Sequence, residues 1–172
     1  MDALTDILRI NTEIASRFGE VRKHIEKCNS ITDLFETWYL KVGEVFSIPF
    51  LWITIFNEEI TLSLRESLER SEILKDRINL IDRKCFEGLT GGQKGPILVN
   101  GDIRPYFVLL PRQKYLLRSM ALAPFEMNGE IMGSLNHGDS SPTRYSPEMD
   151  TTLLAAFVRD LSLRLTEIVY IP

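Results

Sequence analysis

The sequence has 172 residues, of which 44% are hydrophobic and 26% charged, and its net charge is −4. These values are ordinary for a globular protein and exclude a collagenous, low-complexity or wholly disordered chain. The acidic balance argues against direct nucleic-acid binding, which needs a surface that neutralises phosphates. Two cysteines are too few for a disulfide-built secreted scaffold. Because the sequence has neither a basic, apolar leader nor a run of ~18 apolar residues, we expect a cytoplasmic protein with no membrane partner.

The first predicted element is an amphipathic helix at the N-terminus. Its apolar stripe has the alternating spacing of three and four residues that indicates a helix, with one polar member, Asn11. The stripe consists of Leu4, Ile7, Asn11, Ile14, Phe18, Val21, Ile25 and Cys28. Leu8, Ile10 and Ala15 widen it beyond a coiled-coil seam, which favours packing in a bundle or on a sheet. Because a monomer would leave part of this surface exposed, we expect a two-fold homodimer through the terminal helices.

A second helix and the clearest strand follow. The helix should begin at a cap on Ser30 or Thr32 and end before Pro49. Residues 50–56 are rich in aromatic and β-branched side chains, which predicts a strand. Residues 60–64 alternate between apolar and polar, so we expect a second strand that pairs with the first.

A β-hairpin is the clearest motif in the second half of the chain. Before it, the pattern predicts a strand over 78–81, a helix over 83–89 ended by Gly91-Gly92, a strand over 97–99 and an irregular stretch over 102–118. Asn128-Gly129 lies between two alternating apolar runs and predicts a tight turn, because both residues tolerate positive φ. Ser146 and Pro147 should then cap and open a final helix. Strands flanked by terminal helices predict an α+β fold with a central antiparallel sheet.

The hairpin and the final helix resemble the second half of a GAF domain. The resemblance lies in Ala123-Pro124-Phe125, the Asn128-Gly129 turn, the run from Glu130 to Leu135 and the closing helix after Ser146-Pro147. The chain is most similar to a bacterial GAF-like family of unknown function, some of whose genes lie beside a tyrosine-recombinase gene. The similar residues are Gly133-Ser134-Leu135, Asp139, Pro142, Arg144-Tyr145, Pro147, Met149 and Leu153-Leu154, with Leu8-Arg9, Asn11 and Phe18 in the first helix.

The resemblance implies an arrangement of the sheet, the helices and the loops. The N- and C-terminal helices should lie on one face of the sheet, and loops should lie over the other. We expect residues 1–29 to form an N-terminal helical extension and residues 30–172 to form a GAF-like domain. GAF domains typically bind small molecules under the loops, or bind nothing and dimerise through the terminal helices.

Candidate ligand-binding residues come from strand alternation and from local charge. Residues 50–56 alternate between an aliphatic face, suited to helix packing, and a mixed face. Residues 97–118 hold four basic residues against one acidic residue, interleaved with aromatic rings, a combination that can hold a planar anion. The predicted ligand-binding residues are Trp52, Thr54, Phe56, Arg104, Tyr106, Phe107, Tyr115, Arg118, Ser134 and Asn136, with Arg112 and Lys114 as further cations. A solvated basic surface over a second core filled by loop side chains is the open alternative.

Metal and phosphate sites are not predicted. His24 and Cys28 lie one helical turn apart, but a zinc site would also need Cys85 and His137, and no Cys-x-x-Cys pair occurs. The glycine-rich residues 88–95 lack the Lys-Ser or Lys-Thr pair of a phosphate loop. They predict a helix end followed by a turn.

His137 is the remaining candidate for catalysis. Ser134 and Asp139 are near it in the sequence, but Ser134 lies in a strand and not on a sharp turn. We therefore expect a structural role, with the ring at the sheet margin and hydrogen-bonded to a backbone group over residues 139–143.

The sequence predicts a dimeric, non-catalytic sensory or scaffolding domain that binds a small ligand, such as an anion, or a protein partner. A ligand-free dimerisation module is the alternative, and an enzyme that uses His137 is a weaker one. The sequence identifies no cofactor and no metal.

Overall fold

Five strands form one sheet within residues 2–111 and 116–171, which the computed structural model describes. The strands are β1 (Phe50–Phe56), β2 (Ile78–Ile81), β3 (Ile97–Asn100), β4 (Ser119–Met127) and β5 (Glu130–Asp139). Their order is β2-β1-β5-β4-β3. β1 and β2 are parallel, and the other neighbouring pairs are antiparallel. The predicted α+β class is confirmed, with one parallel pair at the edge of a mainly antiparallel sheet.

The α-helices of the described residues precede, connect and follow the strands. They are α1 (Ala3–Ile25), α2 (Ile31–Phe46), α3 (Leu62–Glu69), α4 (Arg83–Thr90) and α5 (Thr152–Tyr170). Short 3-10 helices span Glu59–Thr61, Lys75–Arg77 and Arg104–Leu109. No helix in this part of the chain combines the length and apolar character needed to cross a membrane.

The sheet separates two hydrophobic cores. On the helix face, Leu51, Ile53 and Ile55 of β1 pack with α1, α2, α3 and α5. On the opposite face, which we call the loop face, Trp52 and Phe56 pack with α4 and the 3-10 helix over residues 104–109. The predicted alternation of residues 50–56 is therefore confirmed, because a strand directs successive side chains to opposite faces.

Local hydrogen bonds fix where α2 begins and ends. The Ser30 hydroxyl accepts from the backbone N–H of Asp33 at 3.0 Å, so of the two predicted caps, Ser30 and Thr32, the cap is Ser30. The helix ends at Phe46, and Ser47 adopts a left-handed conformation that turns the chain before Pro49.

Two glycines shape the β4–β5 hairpin. Asn128 and Gly129 have φ values of 54° and 81°, which fit the predicted two-residue turn. At Gly133, a Cβ atom would lie 1.9 Å from the backbone oxygen of Thr54. Only a residue without a side chain therefore allows β5 to approach β1 this closely.

Two predicted elements are wrong. Residues 60–64 are helical, because Leu64 and Leu68 lie four residues apart and are both buried, so the helical period prevails over the alternating one. α5 begins at Thr152, and residues 146–150 form turns in which the Ser146 hydroxyl donates to Glu148 and not to a helix end. The capping pattern at Ser146-Pro147 therefore belongs to the loop before α5.

Candidate functional site

Three polar side chains meet on the loop face near the centre of the sheet. Thr54 on β1 is paired with Ser134 on β5, and Asn136 lies two residues further along β5. The Asn136 amide donates to Thr54 Oγ1 at 2.9 Å, and the Ser134 hydroxyl donates to Asn136 Oδ1 at 2.8 Å. All three residues are fully buried. Because buried polar groups need partners and these groups supply them to one another, the cluster requires no ligand.

Two aromatic residues of β1 lie beside this cluster. The Trp52 indole N–H donates to the backbone oxygen of Leu109 at 2.7 Å. Phe56 packs edge-on against Phe86 of α4, and the Arg83 guanidinium lies 4.5 Å from the Phe56 ring centroid. Both β1 rings are buried, so the chain's own side chains fill this part of the loop face.

The basic segment lies partly outside the described residues. Arg104 is exposed and forms a bidentate ion pair with Asp102, which lowers the pKa of that carboxyl to about 2. Phe107 and Arg118 are exposed, and Tyr106 is half-buried. The predicted contributors that lie outside the described residues are Arg112, Lys114 and Tyr115.

The predicted ligand-binding residues therefore divide into two groups. Those in strands β1 and β5 share the loop face and are buried: Trp52, Thr54, Phe56, Ser134 and Asn136. The described members of the basic segment lie at the surface or are half-buried, and Arg104 is already paired. A joint role in binding an anion stays a prediction.

His137 lies within the sheet and not at its margin. It is paired with Leu51 of β1 on one side and Ala121 of β4 on the other, and only 4% of its surface is exposed. Among the described residues its Nε2 has no hydrogen-bond partner, and no hydrogen bond joins the ring to residues 139–143, so the predicted bond to a loop backbone group is wrong. The reason is that β5 continues to Asp139, and alternation places His137 with Leu135 on the helix face.

Two aromatic side chains lie next to His137 on the helix face. The ring centroids of Trp38 and Tyr145 each lie 6.3 Å from that of the imidazole. Burial lowers the pKa of His137 to about 3, and the nearby Arg144 charge acts in the same direction. Burial also raises the pKa of Tyr145 to about 12. At neutral pH the pair is a neutral imidazole, with one donor and one acceptor, and a protonated phenol.

A half-open cleft of about 640 Å³ lies over His137 and Tyr145. We call it the helix-face cleft. It is defined by Leu8 and Phe18 of α1, Ile48, His137, Tyr145 and Leu153 of α5. The volume falls within the range of roughly 300–1,000 Å³ that is usual for small-molecule sites.

Arg144 anchors the loop that carries Tyr145. Its guanidinium donates to the backbone oxygen of Phe46 and lies 3.5 Å from a carboxylate oxygen of Asp139. These contacts join the loop to the end of α2 and to β5, so the position of Tyr145 over the cleft is fixed by two elements.

The sequence contains one indication of this cleft, at His137. Alternation along β5 puts Ser134 and Asn136 on the loop face, and one further step puts His137 on the helix face. A histidine on a face of otherwise aliphatic side chains indicates a place where a polar group is buried in apolar surroundings. Tyr145 has no such signal, because it belongs to a loop without periodicity.

The cysteines lie apart from each other. Cys28 is buried, its thiol donates to the backbone oxygen of His24, and burial raises its pKa. Cys85 is exposed on α4. Within residues 2–111 and 116–171, no three His, Cys, Asp or Glu side chains form a group that could hold a metal ion.

Comparison with protein-family models finds no match, and neither does comparison with curated proteins. Solved structures do match. The GAF domain of an Acinetobacter phosphoenolpyruvate-protein phosphotransferase superposes with a TM-score of 0.61 at 15% identity, over 100% of this chain and 98% of that one. Free methionine-R-sulfoxide reductase from Neisseria meningitidis, solved in complex with its substrate, gives 0.54 at 14% identity, over 86% of this chain and 85% of that one. At these identities the similarity concerns the fold alone, and the fold of this chain is GAF-like.

Proposed function

We propose that this chain is a non-catalytic sensory or scaffolding domain that works as a homodimer joined through α1. The GAF-like fold suggests a small-molecule-binding or regulatory role. The dimer is inferred from the apolar stripe on the first three turns of α1. Leu4 is 65% exposed and Ile7 is 54% exposed, and no other part of the described chain covers them.

The exposed stripe continues a buried one on the same helix. Phe18, Val21 and Ile25 pack into the core of the helix face. Ile7 and Ile14 precede them at helical spacing and therefore lie on the same side of α1. A second copy would present an identical stripe, as a two-fold interface requires. Full burial of each such side chain would contribute about 1.5–3 kcal/mol.

Sedimentation velocity over a range of protein concentrations tests the dimer. Wild type should sediment as a dimer, and Ile7→Asp should sediment as a monomer because it places a charge in the stripe. Leu40→Asp is the matched control, since Leu40 lies on α2 with a similar exposure of 50%. This control should stay dimeric. A wild-type monomer at every concentration would contradict the proposal.

The placement of the candidate catalytic residues supports a role without catalysis. Ser134 lies on the loop face and donates to Asn136, whereas His137 lies on the helix face. A nucleophile and its general base must be within hydrogen-bond reach. The sheet itself separates these two side chains.

Binding of an anionic ligand on the loop face is also part of the proposal. Arg104 is already paired with Asp102, so Arg118, which is exposed, is the candidate for bidentate contact with such a ligand. A thermal-shift screen of nucleotides and carboxylates tests it. Stabilisation of wild type by one of these anions, and loss of that stabilisation in Arg118→Gln, would support anion binding.

A ligand-free dimerisation module is the second candidate function. It is favoured because buried side chains already fill the centre of the loop face. These are Trp52, Phe56 and the hydrogen-bonded Thr54, Ser134 and Asn136. The same screen distinguishes the two functions. No stabilisation by any anion, with the fold and the dimer intact, would favour the ligand-free module.

A further inference from the structure

Three buried polar groups on the helix face lack hydrogen-bond partners within the described residues. They are Nε1 of Trp38, Nε2 of His137 and Oη of Tyr145. Trp38 and Tyr145 are both neighbours of His137. Most buried polar groups in native proteins are paired, and an unpaired one destabilises the fold. Two of these three adjacent exceptions belong to residues that line the helix-face cleft, so they point to a molecule that supplies their partners from that cleft.

The helix-face cleft places such a molecule beside two of these residues. His137 and Tyr145 both line it, and the other walls are mainly apolar, with Leu8, Phe18 and Leu153 among them. A cleft with apolar walls and few polar groups is the usual form of a small-molecule site.

The charges around the cleft favour an uncharged ligand. At neutral pH His137 is neutral and Tyr145 is protonated. The Arg144 charge already faces Asp139, the Phe46 backbone oxygen and the Tyr145 side chain. Beside His137 and Tyr145, an ionic ligand would lose its hydration without gaining a free counter-charge there.

Two further charged residues line the cleft. Arg17 and Asp150 are exposed and opposite in sign, so together they add no net charge at its mouth.

We propose that the helix-face cleft binds a small, uncharged, amphipathic molecule with one carbonyl or hydroxyl oxygen. The apolar body of the ligand packs against Leu8, Phe18 and Leu153. Its oxygen accepts a hydrogen bond from the Tyr145 hydroxyl and lies next to the His137 imidazole. The site lies on the opposite side of the sheet from the predicted anion site, so it does not depend on a loop-face ligand.

Acetophenone is the probe, because it joins an aromatic body to one carbonyl oxygen. Binding is followed by the shifts of backbone amide NMR signals during titration. Ethylbenzene lacks the carbonyl and benzoate carries a charge, so both should bind more weakly. Wild type and Ile7→Asp are both titrated, so that a dimer that covers the cleft does not hide the site.

Tyr145→Phe removes only the hydroxyl. It should weaken acetophenone binding about three- to tenfold, the effect of one hydrogen bond, while the melting temperature stays the same or rises because an unpaired buried group is lost. Tyr170→Phe, on an exposed residue at the end of α5, is the control and should bind like wild type. His137→Leu should also weaken binding.

The titration overturns the proposal in either of two ways. In the first, acetophenone shifts no amide signal from residues of the cleft in either wild type or Ile7→Asp. Alternatively, it binds there with the same affinity to wild type, Tyr145→Phe and His137→Leu. Binding at the cleft that is weakened by both substitutions supports the proposal.

Discussion

Gly133 determines how closely two central strands approach each other. Its missing side chain leaves room for the Thr54 backbone oxygen, which would lie 1.9 Å from a Cβ atom. Gly133→Ala should lower the free energy of unfolding by at least about 2 kcal/mol, because β1 and β5 must separate. Gly88→Ala is the matched control in α4, where no atom lies within 4 Å of the new Cβ. It should raise stability by about 0.5–1 kcal/mol. Equal free energies of unfolding for the two variants, measured by urea denaturation, would contradict this role of Gly133.

His137 should make stability depend on pH. Its pKa is lowered to about 3 in the folded protein, against about 6.5 in an unfolded chain. Below pH 6.5 the unfolded state therefore binds a proton that the folded state does not, and stability falls as the pH falls. The loss should be roughly 1.4 kcal/mol per pH unit, or about 2 kcal/mol between pH 7.5 and pH 5.

Urea unfolding at these two pH values measures that dependence. Wild type should lose about 2 kcal/mol more than His137→Leu, which has no imidazole to protonate. His24→Gln, at an exposed position on α1, controls for the removal of a histidine. Identical pH dependence in wild type and His137→Leu would show that His137 does not stay neutral in the folded protein.

Residue positions were predictable only where a backbone period determines them. The period of two along β1 correctly separated Trp52 and Phe56 from the aliphatic face, because a strand allows no other arrangement. The hydrogen bond between Asn136 and Thr54 joins residues 82 positions apart. No local pattern encodes such a pair, so the closed polar cluster could not be predicted from sequence.

At the scale of elements, the N-terminus of α2 depends on Ser30. Its hydroxyl satisfies the Asp33 N–H, one of the donors that have no partner within the helix. Ser30→Ala should lower the free energy of unfolding by about 1 kcal/mol. Ser16→Ala makes the same chemical change at an exposed position within α1, where alanine is the better helix former. Thermal melts in which Ser30→Ala is as stable as Ser16→Ala would exclude the capping role.

The two misassigned elements show where local patterns conflict. Residues 60–64 fit a strand period, but Leu64 and Leu68 also fit a helix, and burial of both leucines decides the outcome. Ser146-Pro147 has the composition of a helix start, yet α5 begins at Thr152. Short patterns of this kind do not determine structure, because tertiary contacts outweigh local propensity.

At the scale of the whole molecule, the layers were predictable and the cavities were not. The α+β class follows from element order, the hairpin from its Asn128-Gly129 turn, and the helices on one face from the GAF resemblance. The predicted GAF-like fold agrees with the solved structures that superpose on this chain. The helix-face cleft forms between α1 and two regions that follow each other near the other end of the chain, β5 and the loop before α5. Its volume depends on how these regions pack, which no single segment specifies.

Dimerisation through α1 should make thermal stability depend on concentration. Because only folded chains associate, the dimer stabilises the folded state more as concentration rises. The melting temperature of wild type should therefore increase with protein concentration, whereas that of Ile7→Asp should stay constant. Scanning calorimetry over a hundredfold range of concentration measures both. A constant melting temperature for wild type would argue against the dimer.

Native mass spectrometry of the protein purified from its source tests the central claim, a regulatory homodimer, most directly. The account predicts a species with twice the protomer mass for wild type and for Leu40→Asp, and a single protomer mass for Ile7→Asp. A retained small molecule would add its own mass to the same spectrum and identify a ligand. Wild-type spectra with only the single protomer mass, under conditions that preserve known dimers, would contradict the claim.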